Sequence, residues 1–595
     1  MARLSDNALH VLERRYLLRD EHGAVVETPD AMFRRVARAV AAAEPPAERD
    51  RAAERFEARM AALEFLPNSP TLMNAGRSHG QLAACFVLPV EDDLAAIFDA
   101  LKWAALIHQS GGGTGFAFSR LRPRGDVVKT THGVASGPVS FMRVYDAATE
   151  IIKQGGVRRG ANMAVLSASH PDVVEFVDAK RGHGLENFNL SVAVPDALFH
   201  AASRGEPWKL RHPRSGAVVR TIDARALLDR IAEAAWESGE PGLVFLDRVE
   251  AANPTPDLGH FEAVNPCGEQ PLLPFEACTL GSVNLGRFER GGRVDWDALG
   301  ACVRDGVRFL DDVLDVNVWP LPQIAEISHR NRKVGLGVMG WADLLVRLGT
   351  PYDAPEALAL ADEVMGFVQR EAHAASEALA RERGAFPGYP SSALAHDGRP
   401  PRRNATVTTI APTGTLALIA GCSSGIEPLF ALAYVRRALD DSELREEHPL
   451  VARALHEAGA DAAISTVRAA GRARGIAGVP DAVARLFATA HDVPPEVHVR
   501  MQAAFQRRTD NGVSKTINLP RDAVVGDVAR SYALAFELGC KGITVYRDGS
   551  RERQVLTSGA TRNGEECPQC ASALTRTGGC MTCGHCGWAS CETTE

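Results

Sequence analysis

The chain has 595 residues, 45% of them hydrophobic and 24% charged, with a formal net charge of −8. That length exceeds one ordinary domain, and the composition is that of a globular body rather than a disordered or membrane-resident chain. The acidic balance argues against a nucleic-acid sheath and leaves small anionic molecules, held by local arginine and backbone groups, as the expected partners.

The N-terminal stretch "MARLSDNALHVLERRYLL" is charged throughout and lacks a signal-peptide core. No later run reaches the roughly 20 apolar residues of a membrane span, so a cytoplasmic location is expected. Residues 1–65 read as a helical layer: Phe33, Val36, Ala37 and Val40 share one helix face, and "PPAERDRAAERFEARMAALEFL" starts on proline and continues in helix formers. From 66 to 550 the texture becomes α/β, with short apolar runs and glycine clusters interleaved with helices such as "DALGACVRDGVRFLDDVLDV". Within that span, 440–510 returns to alanine-rich helix before "SKTINLP" and "KGITVYRDGSR", which read as strand and loop. Residues 551–566 are polar and aperiodic and read as a linker to a small cysteine-rich tail, 567–595.

Glycine-rich "GGGTG" at Gly111 to Gly115 and "GGVRRG" at Gly155 to Gly160 read as tight turns first and phosphate cradles second. "GLGVMG", Gly335 to Gly340, is no dinucleotide fingerprint, because the next acid, Asp343, comes far too soon. In "TVTTIAPTGTLALIAG" β-branched residues precede a turn and a helical run. Strand, turn and helix aim backbone N–H groups at an anion, so Thr413, Gly414 and Thr415 are either a phosphate site or a plain threonine-capped loop. In "NPCGEQ" a glutamate two residues beyond Cys267 shares its side in an extended segment, so thiol and carboxylate address one substrate; the bland reading is a buried thiol beside a solvated Glu269.

Twelve cysteines in a chain without a secretory signal point to metal, redox chemistry or inert burial rather than a disulfide framework. Six crowd into "CPQCASALTRTGGCMTCGHCGWASC", whose paired C-x-x-C units suit tetrahedral zinc. Cys567 and Cys570 form one knuckle, and the second is Cys580 with Cys583 or Cys583 with Cys586. The first choice is preferred and leaves Cys586 and Cys591 for thiol–disulfide exchange. Cys302, Cys422 and Cys540 read as structural thiols.

Taken in order, "FLPNSPTLMNAGR", "NPCGEQPLLPFEACTLGSVNL", "NRKVGLGVMGWADLL", "APTGTLALIAGCSSGIEP", "SKTINLP" and "GCKGITVYRDGSR" resemble the catalytic chain of ribonucleotide reductases, specifically the adenosylcobalamin-dependent class II, over nearly the whole length. The resemblance implies a ten-stranded α/β barrel of two parallel five-stranded halves joined antiparallel. A central finger loop carries the radical cysteine, beneath a helical N-terminal layer and with a small C-terminal zinc-binding tail. It places the thiyl radical on Cys267, substrate and proton handling on Asn265 and Glu269, and the electron-delivering pair on Cys85 and Cys278. Ser69 and the Thr413 to Thr415 turn then hold the substrate and its phosphates, favouring the phosphate reading of that turn. Asp92 and Arg120 match a deoxynucleotide effector site at a homodimer interface, with "GGVRRGAN" carrying its message, and thioredoxin or a similar reductant regenerates the dithiol. The adjacent tyrosines of relatives that rely on a separate radical-generating subunit are missing, since Val545 precedes Tyr546. The early start of the similarity leaves no room for an ATP-cone domain. Two rivals stand beside this reading: a class I chain with a metal-radical partner, and a nucleic-acid binder using the tail, which offers Arg576, His585 and Trp588 but little other basic or stacking surface. Diphosphate substrates are favoured by resemblance to dimeric members.

Overall fold

The computed structural model describes residues 4–78, 80–128, 133–154, 158–181, 184–437 and 443–550, and the strand backbones at 556–558, 574–577, 580–583 and 589–591. The chain divides into two compact units, one of residues 1–429 with 490–552 and one of 430–489 with 553–595. Among the described residues no helix is long and apolar enough to cross a membrane.

The first unit begins with three helices, α1 (Asp6–Arg15), α2 (Pro29–Ala41) and α3 (Arg49–Ala61). Local chemistry sets their starts: the Ser5 hydroxyl accepts from the Ala8 N–H, and Thr28 does the same for Ala31 ahead of a first-turn proline. Helix α2 buries Phe33, Val36, Ala37 and Val40, the face that the periodicity predicts.

A sheet of ten strands follows. In chain order these are β1 (Phe65–Pro67), β2 (Cys85–Pro89), β3 (Gly113–Ala117), β4 (Asn162–Ser167), β5 (Phe188–Val194), β6 (Gly242–Phe245), then, after a hairpin of β7 (Ala263–Val264) and β8 (Pro271–Leu272), β9 (Ala277–Asn284), β10 (Val334–Met339), β11 (Thr516–Leu519) and β12 (Gly542–Arg547). Strands β2 to β6 run parallel in sequence order. At one end β9 joins β2 antiparallel and carries β10 parallel on its other side. At the far end β12 joins β6 antiparallel and carries β11 parallel. The "GLGVMG" run is therefore strand β10 up to Met339, buried along its whole length, with Gly340 capping the helix that follows.

Both faces of the sheet are covered, and each strand divides its side chains between them with period two. Phe86 and Leu88 of β2, Ala164 and Leu166 of β4, and Leu190, Val192 and Val194 of β5 pack with the helices. Cys85, Val87, Met163, Val165 and Ala193 face the other way, onto the β7–β8 hairpin. The hairpin presses so close that a Cβ built on Gly115 would overlap the Val264 carbonyl oxygen. Backbone has nowhere to retreat, so Gly115→Ala should cost roughly 3 kcal/mol, the upper end of overpacking. A lowered thermal midpoint together with lost activity is expected, and a variant matching wild type in both would show that the hairpin tolerates displacement.

In the second unit Ala433–Arg437 pairs antiparallel with Glu443–Glu447 and with Leu556–Ser558, the last lying inside the stretch read as a linker. The tail contributes a three-stranded sheet in which Cys580 is the register partner of Cys591.

Candidate active site

Asn265 to Gly268 form the tip of the β7–β8 hairpin as a β-turn, closed by the Gly268 N–H donating to the Asn265 carbonyl at 3.0 Å. Asparagine first, proline second and a glycine at φ +80° in fourth place are what such a turn favours. Three further bonds fix the tip. The Gln270 N–H donates to Asn265 Oδ1 at 2.9 Å, Asn189 Nδ2 to the Pro266 carbonyl at 2.7 Å, and the Gly512 N–H to the Glu269 carbonyl at 2.8 Å. Glycine is required at 512, where a Cβ would stand 2.8 Å from the Gly268 carbonyl oxygen.

The turn corrects the extended reading of this segment. Cys267 is exposed, whereas Glu269 is 2% exposed. Thiol and carboxylate therefore leave a bend in different directions rather than one side of a strand. Burial pushes the Glu269 carboxyl up to about 7, against a downward pull from the Asn265 side chain, and its Oε2 has no hydrogen-bond partner. A carboxyl that is half ionised near neutrality, with an unused oxygen, is poised to exchange a proton.

Asn265 links the turn to the sheet, its Nδ2 donating to Cys85 Sγ at 3.0 Å. Cys85 on β2 and Cys278 on β9 are register partners across the antiparallel junction, both buried and both thiols. Burial pushes each thiol well up, and for Cys85 the charges of Glu269, Cys278 and Cys267 add to it, which keeps the protons on sulfur. So an exposed thiol, a tunable carboxyl, an amide and a buried dithiol meet at one junction.

On the open side of Cys267 lies a cavity of about 340 Å³, lined among others by Gly242, Gln502, Lys515, Gly542 and Tyr546. Gln502 donates through Nε2 to the Gly542 carbonyl at 2.8 Å, and its buried Oε1 has no partner. Lys515 is buried against Glu427, at 2.5 Å, and His498 Nδ1, at 3.0 Å.

Ser69 starts the helix α4 (Ser69–Asn74), capped by Asn68, and its hydroxyl lies 2.7 Å from Tyr16 Oη. Thr413 adopts φ +52° ahead of the short helix α5 (Gly414–Ala420), and its hydroxyl accepts from the Gly425 N–H at 2.8 Å. A Cβ on Gly414 would meet nothing within 4 Å, so the backbone there is open. Asp92 is engaged by Arg122, whose Nε lies 3.0 Å from both its oxygens, and Arg120 pairs with Glu91 and Glu262; both residues line a separate cavity of about 620 Å³. Cys567, Cys570 and Cys586 lie outside the described residues, as does part of "GGVRRGAN", and of Cys580, Cys583 and Cys591 the backbone alone is described. Among the described residues no His, Cys, Asp and Glu group is arranged to hold a metal ion, so nothing described supports zinc.

Sequence reading missed Asn189 and Gln270. The first interrupts the apolar run of β5 with an amide, which is a visible signal. The second is wholly buried with both amide atoms unpartnered, and nothing in "GEQP" marks it.

The chain is similar to known proteins over almost its whole length. Residues 2–80 match the all-alpha domain, and 83–400 and 398–546 the barrel domain, of ribonucleotide reductase. The chain is 50% identical to a vitamin B12-dependent ribonucleoside-diphosphate reductase of Mycobacterium tuberculosis (strain CDC 1551 / Oshkosh), over 97% of this chain and 84% of that protein. It is 46% identical to the protein of that name in Thermoplasma acidophilum, over 95% and 82%. Against the ribonucleoside-diphosphate reductase subunit alpha of Chlamydia pneumoniae identity falls to 27%, over 77% and 51%.

Proposed function

Since this chain belongs to the ribonucleotide reductase family, as a catalytic chain of the vitamin B12-dependent class II, we propose that its residues divide the reduction of ribonucleoside diphosphates to 2′-deoxyribonucleotides as follows. Cys267, carrying a thiyl radical, takes the 3′ hydrogen of the ribose, and Glu269 as carboxylate accepts the 3′-hydroxyl proton. The 2′-hydroxyl departs as water, protonated from the Cys85 and Cys278 pair, which then supplies two electrons and becomes a disulfide. Cys267 finally returns the 3′ hydrogen. Asn265 orients the sugar and holds Cys85 in place through its 3.0 Å bond. The observation that carries the reading is this meeting of turn, amide and facing dithiol.

The residues around the smaller cavity suit the nucleoside end of adenosylcobalamin: its lining includes Cys267 and the buried unpartnered oxygen of Gln502. When bound, adenosylcobalamin supplies the organic radical that removes the thiol hydrogen. Gln502, Lys515 and the Gly242 and Gly542 backbones would line its adenosyl group, while the enclosing strands exclude water.

Ser69 and the Thr413 to Thr415 turn bind substrate and phosphates, supported by the open backbone at Gly414. Asp92 and Arg120 take a deoxynucleotide effector in the larger cavity of a homodimer; an effector phosphate there must displace Glu91 or Glu262 from Arg120. The ten strands form a closed barrel with the β7–β8 hairpin as its finger loop. Parallel bridges from Leu336 to Thr408 and from Ile410 to Val513 support closure, because they continue the ladder from β10 toward β11. A helical N-terminal region of residues 1–65, a catalytic domain of 66–550, a linker of 551–566, a tail of 567–595 and a cytoplasmic location belong to the same proposal. In the tail, Cys567, Cys570, Cys580 and Cys583 bind zinc, while Cys586 and Cys591 pass electrons from thioredoxin to the buried pair. Cys586→Ser or Cys591→Ser should therefore still give one reduction per chain but no repeated turnover with thioredoxin. Normal repeated turnover would overturn that partition.

Product formation by the purified chain alone, from ribonucleoside diphosphate and dithiothreitol, tests the whole reading. Deoxynucleotide that requires adenosylcobalamin and no second protein is expected. Product that instead requires a metal-radical subunit would return the class I alternative.

A further inference from the structure

We propose that the buried ion pair of Lys333 and Glu276 is an electrostatic positioning device for the redox dithiol: it stabilises negative charge on Cys278 whenever the Cys85–Cys278 bond is made or broken. The inference rests on the reading that these two cysteines deliver the electrons.

Three observations carry it. Lys333 immediately precedes Val334, the register partner of Thr279, which itself follows Cys278; Cys85 is the partner of Cys278 on the opposite side. The sheet thus sets Cys85 and Cys278 face to face on neighbouring strands, with Lys333 just ahead of the third strand and one step before the Thr279 pair. Secondly, the pair is completely enclosed, both side chains being 0% exposed with Nζ and Oε2 2.7 Å apart. Glu276 is anchored by two further donors, Asn331 Nδ2 to Oε1 at 2.7 Å and the Leu273 N–H to Oε2 at 2.8 Å. Thirdly, the ammonium is not saturated. Among the described residues its one hydrogen-bond partner is Glu276, and beyond that it lies 4.6 Å from the Phe261 ring centre.

An enclosed ion pair is a poor device for stability, since apolar residues of the same volume usually serve as well or better. Its place beside a thiol that must shed a proton gives it another use. Burial pushes the Cys278 thiol up; of the surrounding charges, Lys333 pulls it down and Glu276 and Glu269 push it up. Lys333 heads those charges, and the carboxylate two residues before Cys278 both holds the ammonium in place and moderates it.

In the step itself the two S–H bonds break and one S–S bond forms. The two electrons and two protons pass to the substrate, whose C2′–O bond breaks, whose oxygen leaves as water and whose C2′–H bond forms. The protons leave the sulfurs one at a time, and the sulfur briefly left anionic is stabilised by the ammonium beside it. Reduction of the disulfide by an external thiol runs through the same anion, with Cys278 as leaving group when Cys85 is attacked.

The test uses the full chain without cofactor, its Cys85–Cys278 disulfide preformed, and measures reduction by dithiothreitol at fixed pH by alkylation and peptide mapping. Glu276→Gln leaves the ammonium unopposed and should speed reduction by about threefold or more, because a more acidic thiol leaves faster. The double change Glu276→Gln with Lys333→Met leaves an uncharged pair of similar size, avoids stranding a buried carboxylate, and should slow reduction below wild type by about the same factor. Opposite movements are what a charge acting on sulfur produces. Rates that stay at the wild-type value, or that move together as loosened packing would make them, overturn the proposal. A wild-type chain that shows no Cys85–Cys278 cross-link after one turnover would instead overturn the assignment of the pair, and the proposal with it.

Discussion

Cys267→Ser will give no deoxyribonucleotide even in a single turnover, a loss of roughly 10⁴-fold or more in the chemical step on the scale of removing an essential nucleophile. A hydroxyl hydrogen is held much more strongly than a thiol hydrogen, so an organic radical that takes the latter leaves serine intact. The substitution is a clean one because Cys267 is exposed at the hairpin tip and Asn-Pro-Ser-Gly suits the same turn. Rapid-quench product analysis beside a thermal melt checks it: unchanged melting with no product is expected, and residual reduction in a folded variant would remove the radical from this residue.

Glu269→Gln should lower turnover by about 10²–10⁴-fold, the usual worth of a positioned base, and should erase a pH dependence. With the Glu269 carboxyl raised to about 7, wild-type activity climbs with pH through neutrality as the carboxylate forms. The amide variant has no such limb. Stability moves the opposite way. Between pH 4.5 and about 7 the folded chain keeps a proton that the unfolded chain has released, so the carboxyl costs stability increasingly as pH rises through that window. Above it the variant should be more stable than wild type by on the order of 3 kcal/mol, and below pH 4.5 the two should converge. A variant no more stable at pH 8, or a wild-type rate flat from pH 6 to 8, would place the raised carboxyl elsewhere.

How far the sequence carried the fold depended on how local the cause was. The α2 face follows from periodicity; the caps at Ser5 and Thr28 and the Asn-Pro-Cys-Gly turn have equally local causes, yet the sequence reading names no caps and expects an extended segment where the turn stands. The strand expected at 406–410 is there only as two bridges, at Thr408 and Ile410. Its backbone still bonds on both sides, the Leu336 N–H to the Val407 carbonyl and the Ile410 N–H to the Gly512 carbonyl among others, and its threonine side chains add bonds, Thr409 Oγ1 to the Glu269 carbonyl at 3.0 Å and the Asp510 N–H to Thr408 Oγ1 at 2.9 Å. The facing of Cys85 and Cys278 came from family resemblance, because register between strands so far apart in the chain has no local signature. Lys333 and Glu276 were passed over for the same reason: each looks like a surface charge until β9 and β10 bring them together inside.

The grip on the hairpin tip also has a meaning for biosynthesis. Gly115 lies against Val264, just before the turn, and Gly512 against Gly268 and Glu269, just after it, and those two positions are made at opposite ends of translation. A ribosome that has finished the hairpin still has to produce the segment that clamps it, so a nascent or truncated chain carries the Cys267 thiol without the wall that fixes its turn. The radical chemistry proposed for Cys267 therefore has its full surroundings only after the segment around Gly512 has been made.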